Sequence, residues 1–218
     1  MKHLMTLMAL VVAVTAGAQQ NPSYDPDWNG DGHYGTTDLL GFLSIFGTSL
    51  ETTDGGGDYE LWDIGPAGGF IFFVDSLDIY EGWNYLEAAP VTIGGYVWGS
   101  APCYIPGADE TDIGFGLQNT IDLIATYDSC NTLAAMAAWE YEANGYSDWF
   151  LPSLEELLAM HDVLHTNGLG LFGEGMYGSS SDSAGAANNS AFYVRFSDGA
   201  VLQYARWNSV FVRPIRKF

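Results

Sequence analysis

The sequence predicts an α+β domain built on an antiparallel sheet, and three observations carry that expectation. The apolar run 69–74, bounded by Pro66 and Asp75, has the length and composition of a buried strand. Helix signals gather in the middle of the chain. The sharpest is Pro152-Ser153-Leu154-Glu155-Glu156, a capping box with Ser153 as cap and Glu156 at the third helical position. Towards the C-terminus, residues 191–196 and 200–205 flank Asp198-Gly199, a dipeptide that favours hairpin turns because both residues tolerate left-handed backbone.

The elements follow in order. Met1-Lys2-His3 precede an apolar run over 4–14 and small residues ending in Ala16-Gly17-Ala18. A basic start, an apolar stretch of about a dozen residues and an A-x-A site read as a signal peptide over 1–18. The run is shorter than the ~20 apolar residues a hydrocarbon core requires, and no later stretch is long and apolar enough to span one. The mature protein is therefore expected to be secreted or held in the cell envelope, in the periplasm or on the outer surface, with no membrane span. Residues 19–50 hold a compact acidic loop and one amphipathic helix. Residues 51–58, Glu-Thr-Thr-Asp-Gly-Gly-Gly-Asp, lack any apolar member and read as a flexible linker. Residues 59–218 have the size of one domain. Within it, residues 96–98 form a short strand, Asn119 caps a helix running to Ile124, and Asn131 caps a second over 132–143 that Gly145 ends. Ser153 starts a third, with Leu154, Leu157, Leu158 and Val163 on its buried face. A last strand, 210–212, runs up to Pro214, which cannot donate to a ladder and marks an edge or a bulge.

Charge excludes one class of partner. The chain has 6 Lys+Arg against 27 Asp+Glu, a formal net charge of −21, and no lysine or arginine between Gln19 and Val194. Such a surface repels phosphate backbones and argues against nucleic acid, while it favours divalent cations. Beyond the signal segment the basic residues are Arg195, Arg206, Arg213, Arg216 and Lys217. Cys103 and Cys130 are the two cysteines. In an exported chain they read as a disulfide rather than as two free thiols, and metal binding is the weaker alternative because no histidine lies beside them at ligand spacing.

The segment from Asp27 to Asp38 fits the register of an EF-hand loop. Asp27, Asn29 and Asp31 supply oxygens at positions 1, 3 and 5, Gly32 makes the sharp turn, and the His33 carbonyl serves position 7. Alternate residues of a tight loop converge their oxygens on one hard cation, and Asp38 at position 12 closes the shell. Leu39, Leu40, Leu43 and Phe46 follow at helical spacing. The expected cofactor is calcium, bound by Asp27, Asn29, Asp31, His33 and Asp38. With Pro22 and Pro26 in place of an entering helix, this loop and its exiting helix resemble a dockerin repeat. Dockerins carry two such repeats, and here there is one.

Several segments of the larger domain occur in a recognisable order: Gly65-Pro66-Ala67-Gly68-Gly69, Trp83-Asn84-Tyr85-Leu86-Glu87-Ala88-Ala89-Pro90, Gly145-Tyr146-Ser147-Asp148-Trp149-Phe150-Leu151-Pro152-Ser153, Tyr177-Gly178-Ser179-Ser180-Ser181 and Val212-Arg213-Pro214-Ile215-Arg216. In these the region resembles the C-terminal domain of the Lcl collagen-like adhesins. The resemblance implies a C-type-lectin-like fold, related to that of the formylglycine-generating enzymes, and non-catalytic binding of polysaccharide, sulfated in the adhesins. The extreme acidity here departs from that pattern, since a polyanion needs a basic patch. Arg213 and Arg216 are expected to pair within the fold with carboxylates such as Asp148 or Glu156.

Enzymatic signals are sparse. His161 and His165 stand four apart on one helix, a spacing that can chelate zinc, yet no H-E-x-x-H pattern accompanies them and a solvated helix face accounts for them better. Ser179–Ser181 form no G-x-S-x-G elbow. The cysteine pair matches neither the spacing nor the location used by copper-loaded formylglycine-generating enzymes. Trp83, Trp98, Trp139, Trp149 and Trp207 are aromatic faces of the kind that stack on sugars or fill cores. Arg206, Trp207 and Asn208, between two predicted strands, combine a cation, a stacking face and an amide and form the candidate ligand site. The expected protein is a non-enzymatic binding or adhesion protein for polysaccharide or surface glycan. The alternative is a structural module that contacts another surface protein.

Overall fold

The computed structural model describes residues 59–100, 105–183 and 189–218. Two units, Met1–Gly56 and Gly57–Phe218, divide the chain, and every described residue belongs to the second. The predicted signal segment, calcium loop and linker lie outside the described residues.

The domain is α+β. Its order is β1 (Phe70–Val74), β2 (Tyr85–Ala88), β3 (Ile93–Val97), α1 (Gly116–Ala125), α2 (Tyr127–Cys130), α3 (Leu133–Trp139), α4 (Leu154–Val163), a 3-10 turn (His165–Asn167), β4 (Met176–Asp182), β5 (Ser190–Arg195), β6 (Ala200–Ala205), β7 (Ser209–Val212) and β8 (Ile215–Lys217). A three-stranded antiparallel sheet has the order β1-β2-β8. A five-stranded sheet has the order β3-β7-β4-β5-β6 and is antiparallel except where β4 lies beside β7.

The chain passes between the sheets twice, after β2 and after β7. Pro214 sits at the second passage, and its carbonyl accepts the Ala89 N–H of the first at 2.8 Å. Proline is tolerated there because no ladder bond is due from its nitrogen. The strand before Pro214 is not the last, as the sequence reading had it: β8 follows and joins the other sheet. Nothing local distinguishes an edge proline from one that carries the chain across to a second sheet. The β5–β6 hairpin forms as expected, closed by a four-residue turn over 196–199 rather than by the dipeptide alone. The short strand expected at 96–98 is shifted to β3.

Two helix starts differ from expectation. Asn119 lies inside α1, which begins at Gly116, and its amide is turned inward to the Glu110 carbonyl at 2.7 Å. Asn131 adopts left-handed backbone at the end of α2, and Thr132 stands at the start of α3, which stops at Trp139. Asparagine suits both a cap and a left-handed terminator, so residue type alone does not choose between them. The α4 start is as read: Ser153 Oγ accepts the Glu156 N–H at 3.3 Å, and Glu156 Oε2 accepts the Ser153 N–H at 2.7 Å. Glu156 also takes the Gly114 N–H on Oε1 at 2.9 Å, so one buried carboxylate serves the start of α4 and the segment leading into α1. A Cβ on Gly116 would overlap that carboxylate, which is why glycine opens α1.

One core gathers Phe72, Leu86, Phe150, Leu157, Met160 and Ile215 between α4 and the three-stranded sheet. Leu158 and Val163, expected on the buried face of α4, are half-buried at its margin. A second core packs Trp98, Leu123, Ala134, Ala138, Tyr193 and Val210 between the five-stranded sheet and α1 and α3. The serines of β4 are polar but buried. Ser181 Oγ donates to the Glu110 carbonyl at 2.7 Å and accepts the Leu154 N–H at 3.0 Å, while Ser179 Oγ donates to the Phe192 carbonyl at 2.8 Å. At the domain's two ends Tyr59, Tyr85 and Phe218 form an aromatic cluster, with Tyr59 and Phe218 ring centroids 5.5 Å apart. No helix of the described residues is long and apolar enough to cross a membrane.

Candidate ligand groove

The groove arises where α3 lies along β3. The sequence of α3, Leu-Ala-Ala-Met-Ala-Ala-Trp, buries Ala134, Ala135 and Ala138. These small side chains let the helix approach the sheet closely. Leu133, Met136 and Ala137 then fall to one side and line the groove, opposite Ile93 and Tyr96 of β3. Tyr127, Tyr141, Glu140 and Glu142 complete a groove of about 450 Å³. Beyond it, a second depression of about 340 Å³ shares Glu142 and runs over 142–147. Asn144 and Gly145, both with positive φ, make the tight turn there. Asn144 Nδ2 fixes it by donating to the Ala67 carbonyl at 2.8 Å.

Its chemistry is aromatic and acidic. Tyr141 packs edge-on against the buried Trp149, with centroids 5.3 Å apart. Burial pushes its hydroxyl pKa up, with the Arg213 cation pulling the other way, so the phenol stays protonated and can donate a hydrogen bond. The carboxylates of Glu140 and Glu142 are exposed and have no hydrogen-bond or ion-pair partner among the described residues. No lysine or arginine lines the groove. Tyrosine faces and free carboxylates together can stack on a sugar ring and accept hydrogen bonds from its hydroxyls.

The candidate ligand site expected from the sequence, Arg206, Trp207 and Asn208, is a different place from this groove. Of its three residues, Arg206 is fully buried and ion-paired with Asp182, and its guanidinium lies 5.3 Å from the Trp98 ring centroid. That cation is not presented to a ligand: a guanidinium next to an inward carboxylate at a strand end is drawn into the fold. Trp207 is 60% exposed and free to stack. Asn208 is half-buried and donates to the Ala205 carbonyl at 2.9 Å. Of the other tryptophans, Trp83, Trp98 and Trp149 are buried and Trp139 is exposed. The groove went unread because none of its tyrosines is conspicuous alone. A usable signal was present in Trp139-Glu140-Tyr141-Glu142, where aromatics alternate with carboxylates directly after a helix.

The remaining candidates divide. Arg216 pairs with Asp148 in a fork, Nε and Nη2 each at 2.9 Å, and Nη1 reaches the buried Glu87 at 3.2 Å. Burial works against that cation, but the two carboxylates outweigh it and raise its pKa. Glu87 also accepts the N–H groups of Ala67 and Gly69. A Cβ on Gly69 would overlap the Ala88 carbonyl, so glycine is required for this approach. Arg213 meets no carboxylate among the described residues. It donates to the Gly170 carbonyl and, at 3.0 Å, to Thr92 Oγ1, lies 4.1 Å from the Phe172 ring centroid, and is pulled down by burial to about 10. His161 is buried and His165 half-buried, both packed on Phe196. They are wall residues of the core rather than a solvated helix face.

Among the described residues no group of three or more His, Cys, Asp or Glu is arranged to hold a metal ion. Asp27, Asn29, Asp31, His33 and Asp38 lie outside them. Cys130 is buried and disulfide-bonded, and Cys103, the only other cysteine of the sequence, lies outside the described residues. No family model and no curated protein matches this chain.

Proposed function

We propose that the protein is a secreted or surface-held, non-enzymatic glycan-binding protein, in which a dockerin-like calcium module precedes a C-type-lectin-like domain of the Lcl type. The groove between β3 and α3 carries the binding assignment, because it combines tyrosine faces with the unpaired carboxylates of Glu140 and Glu142, which directly follow α3, beside a helix and a strand that are both anchored in the core. The likeness to the adhesin domain draws support from the way its segments meet. Asp148, Glu87 and Arg216 come from three of them, and Glu87 binds the backbone of a fourth. Glycan-array screening of the full chain tests the reading. Wild type should retain at least one oligosaccharide class, and Tyr96→Ala should weaken it about tenfold, equivalent to ~1.4 kcal/mol, read at a temperature where the variant is folded because Tyr96 also packs on the second core. Absence of any glycan ligand would remove the assignment.

Calcium is assigned to the Asp27–Asp38 loop by its ligand register. Calorimetry should show that Asp31→Ala loses calcium binding, and an unchanged affinity would sink the module. A second reading, a protein-binding module of a surface assembly, is favoured by β6. This edge strand, Ala-Val-Leu-Gln-Tyr-Ala, carries no charge and exposes Val201 and Tyr204, the features that permit strand addition.

A further inference from the structure

We infer that the groove selects amino-sugar glycans, recognised through their ammonium groups, and not the sulfated polysaccharides that the adhesin likeness implies; the inference rests on the glycan-binding reading. The first ground is where the cations are. All five basic residues beyond the signal segment are engaged. Arg195 is paired with Asp198, Arg206 with Asp182, and Arg216 with Asp148 and Glu87. Arg213 is buried under Phe172, and the Lys217 ammonium lies 5.4 Å from the Trp83 ring centroid. None of them lines the groove, so a sulfate entering it would meet no counter-charge and two carboxylates.

The second ground is the groove itself. Glu140 and Glu142 are the only charged residues lining it, and neither is neutralised among the described residues. Tyr96, Tyr127 and Tyr141 add aromatic faces that attract an ammonium as well as a pyranose ring. A glucosamine unit presents both, a ring whose C–H face stacks on tyrosine and an amine that is cationic below its pKa. N-acetylation removes the charge and keeps the ring. A neutral hexose keeps the ring alone.

Calorimetric titration of the full chain, at a pH where the amines are charged, tests this with four probes: oligomers of glucosamine, the same oligomers N-acetylated, a gluco-oligosaccharide, and a heparin-derived oligosaccharide of equal length. Glucosamine oligomers should bind at least about tenfold tighter than any other probe, and Glu140→Gln/Glu142→Gln should erase that advantage while Tm stays put, since both side chains are in water. Equal affinity for free and acetylated amines, or tighter binding of the sulfated probe, would overturn the amine selectivity and leave glycan binding standing. An advantage that survives in the double variant would overturn it too, because attraction would then come from the acidic surface at large. Failure of all four probes would overturn this inference, while the glycan array decides the glycan-binding reading beneath it.

Discussion

Two arginines three residues apart have opposite energetic characters. Arg216 compensates Glu87, which is fully buried, so removing the guanidinium leaves a carboxylate with backbone amides alone. Arg213 is a buried cation held by a carbonyl, a hydroxyl and the face of Phe172, with no carboxylate partner among the described residues. Breaking a buried pair costs about 3–5 kcal/mol, whereas replacing a poorly compensated buried charge by a hydrophobe of similar volume is often neutral. Arg216→Met should therefore lower ΔG of unfolding by about 3–5 kcal/mol, and Arg213→Met should change it by less than about 1 kcal/mol, both read from denaturant midpoints. The sequence reading paired both arginines with carboxylates such as Asp148 or Glu156, and the Arg216–Asp148 pair is as expected. The rest was not legible. Glu156 is committed to backbone amides at two helix starts, and Glu87 lies 129 positions from its arginine. Nothing local to either arginine reveals this.

At the scale of the element, α4 shows what spacing can reveal. A capping box is made within one turn of helix, so Ser153 and Glu156 declare it in the sequence. Asn119 and Asn131 are the counter-case, because their roles are set by Glu110 and by the end of α2. Glu156 brings a pH signature with it. Burial pushes its carboxyl above the ordinary 4.5, against the pull of the Ser153, Gly114 and Gly116 amides. As pH falls, the folded chain takes up this proton before the unfolded chain does. The contribution of Glu156 to stability thus rises as pH drops through its folded pKa towards the unfolded one. Glu156→Gln has no such proton to take up, so wild type should gain on the variant as pH falls towards the ordinary 4.5, measured as the difference in their urea midpoints. A gap that narrows over that range would mean the carboxylate is held ionised by the two helix starts.

At the scale of the whole molecule, the described residues form two sheets joined by neighbouring passages of the chain, and here the sequence was least informative. The β5–β6 hairpin is local and was read. The membership of β7 in one sheet and β8 in the other, and the parallel contact of β4 with β7, depend on partners far along the chain. The candidate groove shares that fate, assembled from β3, α3 and the turn after it. The ends of the domain meet as well, since the Tyr59 ring stands on Phe218. Covalently, then, the order in which the segments are written is arbitrary, and the ring could be closed there and reopened elsewhere. A circular permutant of residues 59–218, with Phe218 joined to Tyr59 by a short glycine linker and new termini at the exposed Gly168 turn, should unfold cooperatively within about 5 °C of the parent domain. Reopening inside β4 instead should abolish folding, because that strand holds both sheet neighbours and the serines that seat α4. A domain closed in this way can be spliced into the middle of a foreign chain, entering and leaving its host through one narrow gate.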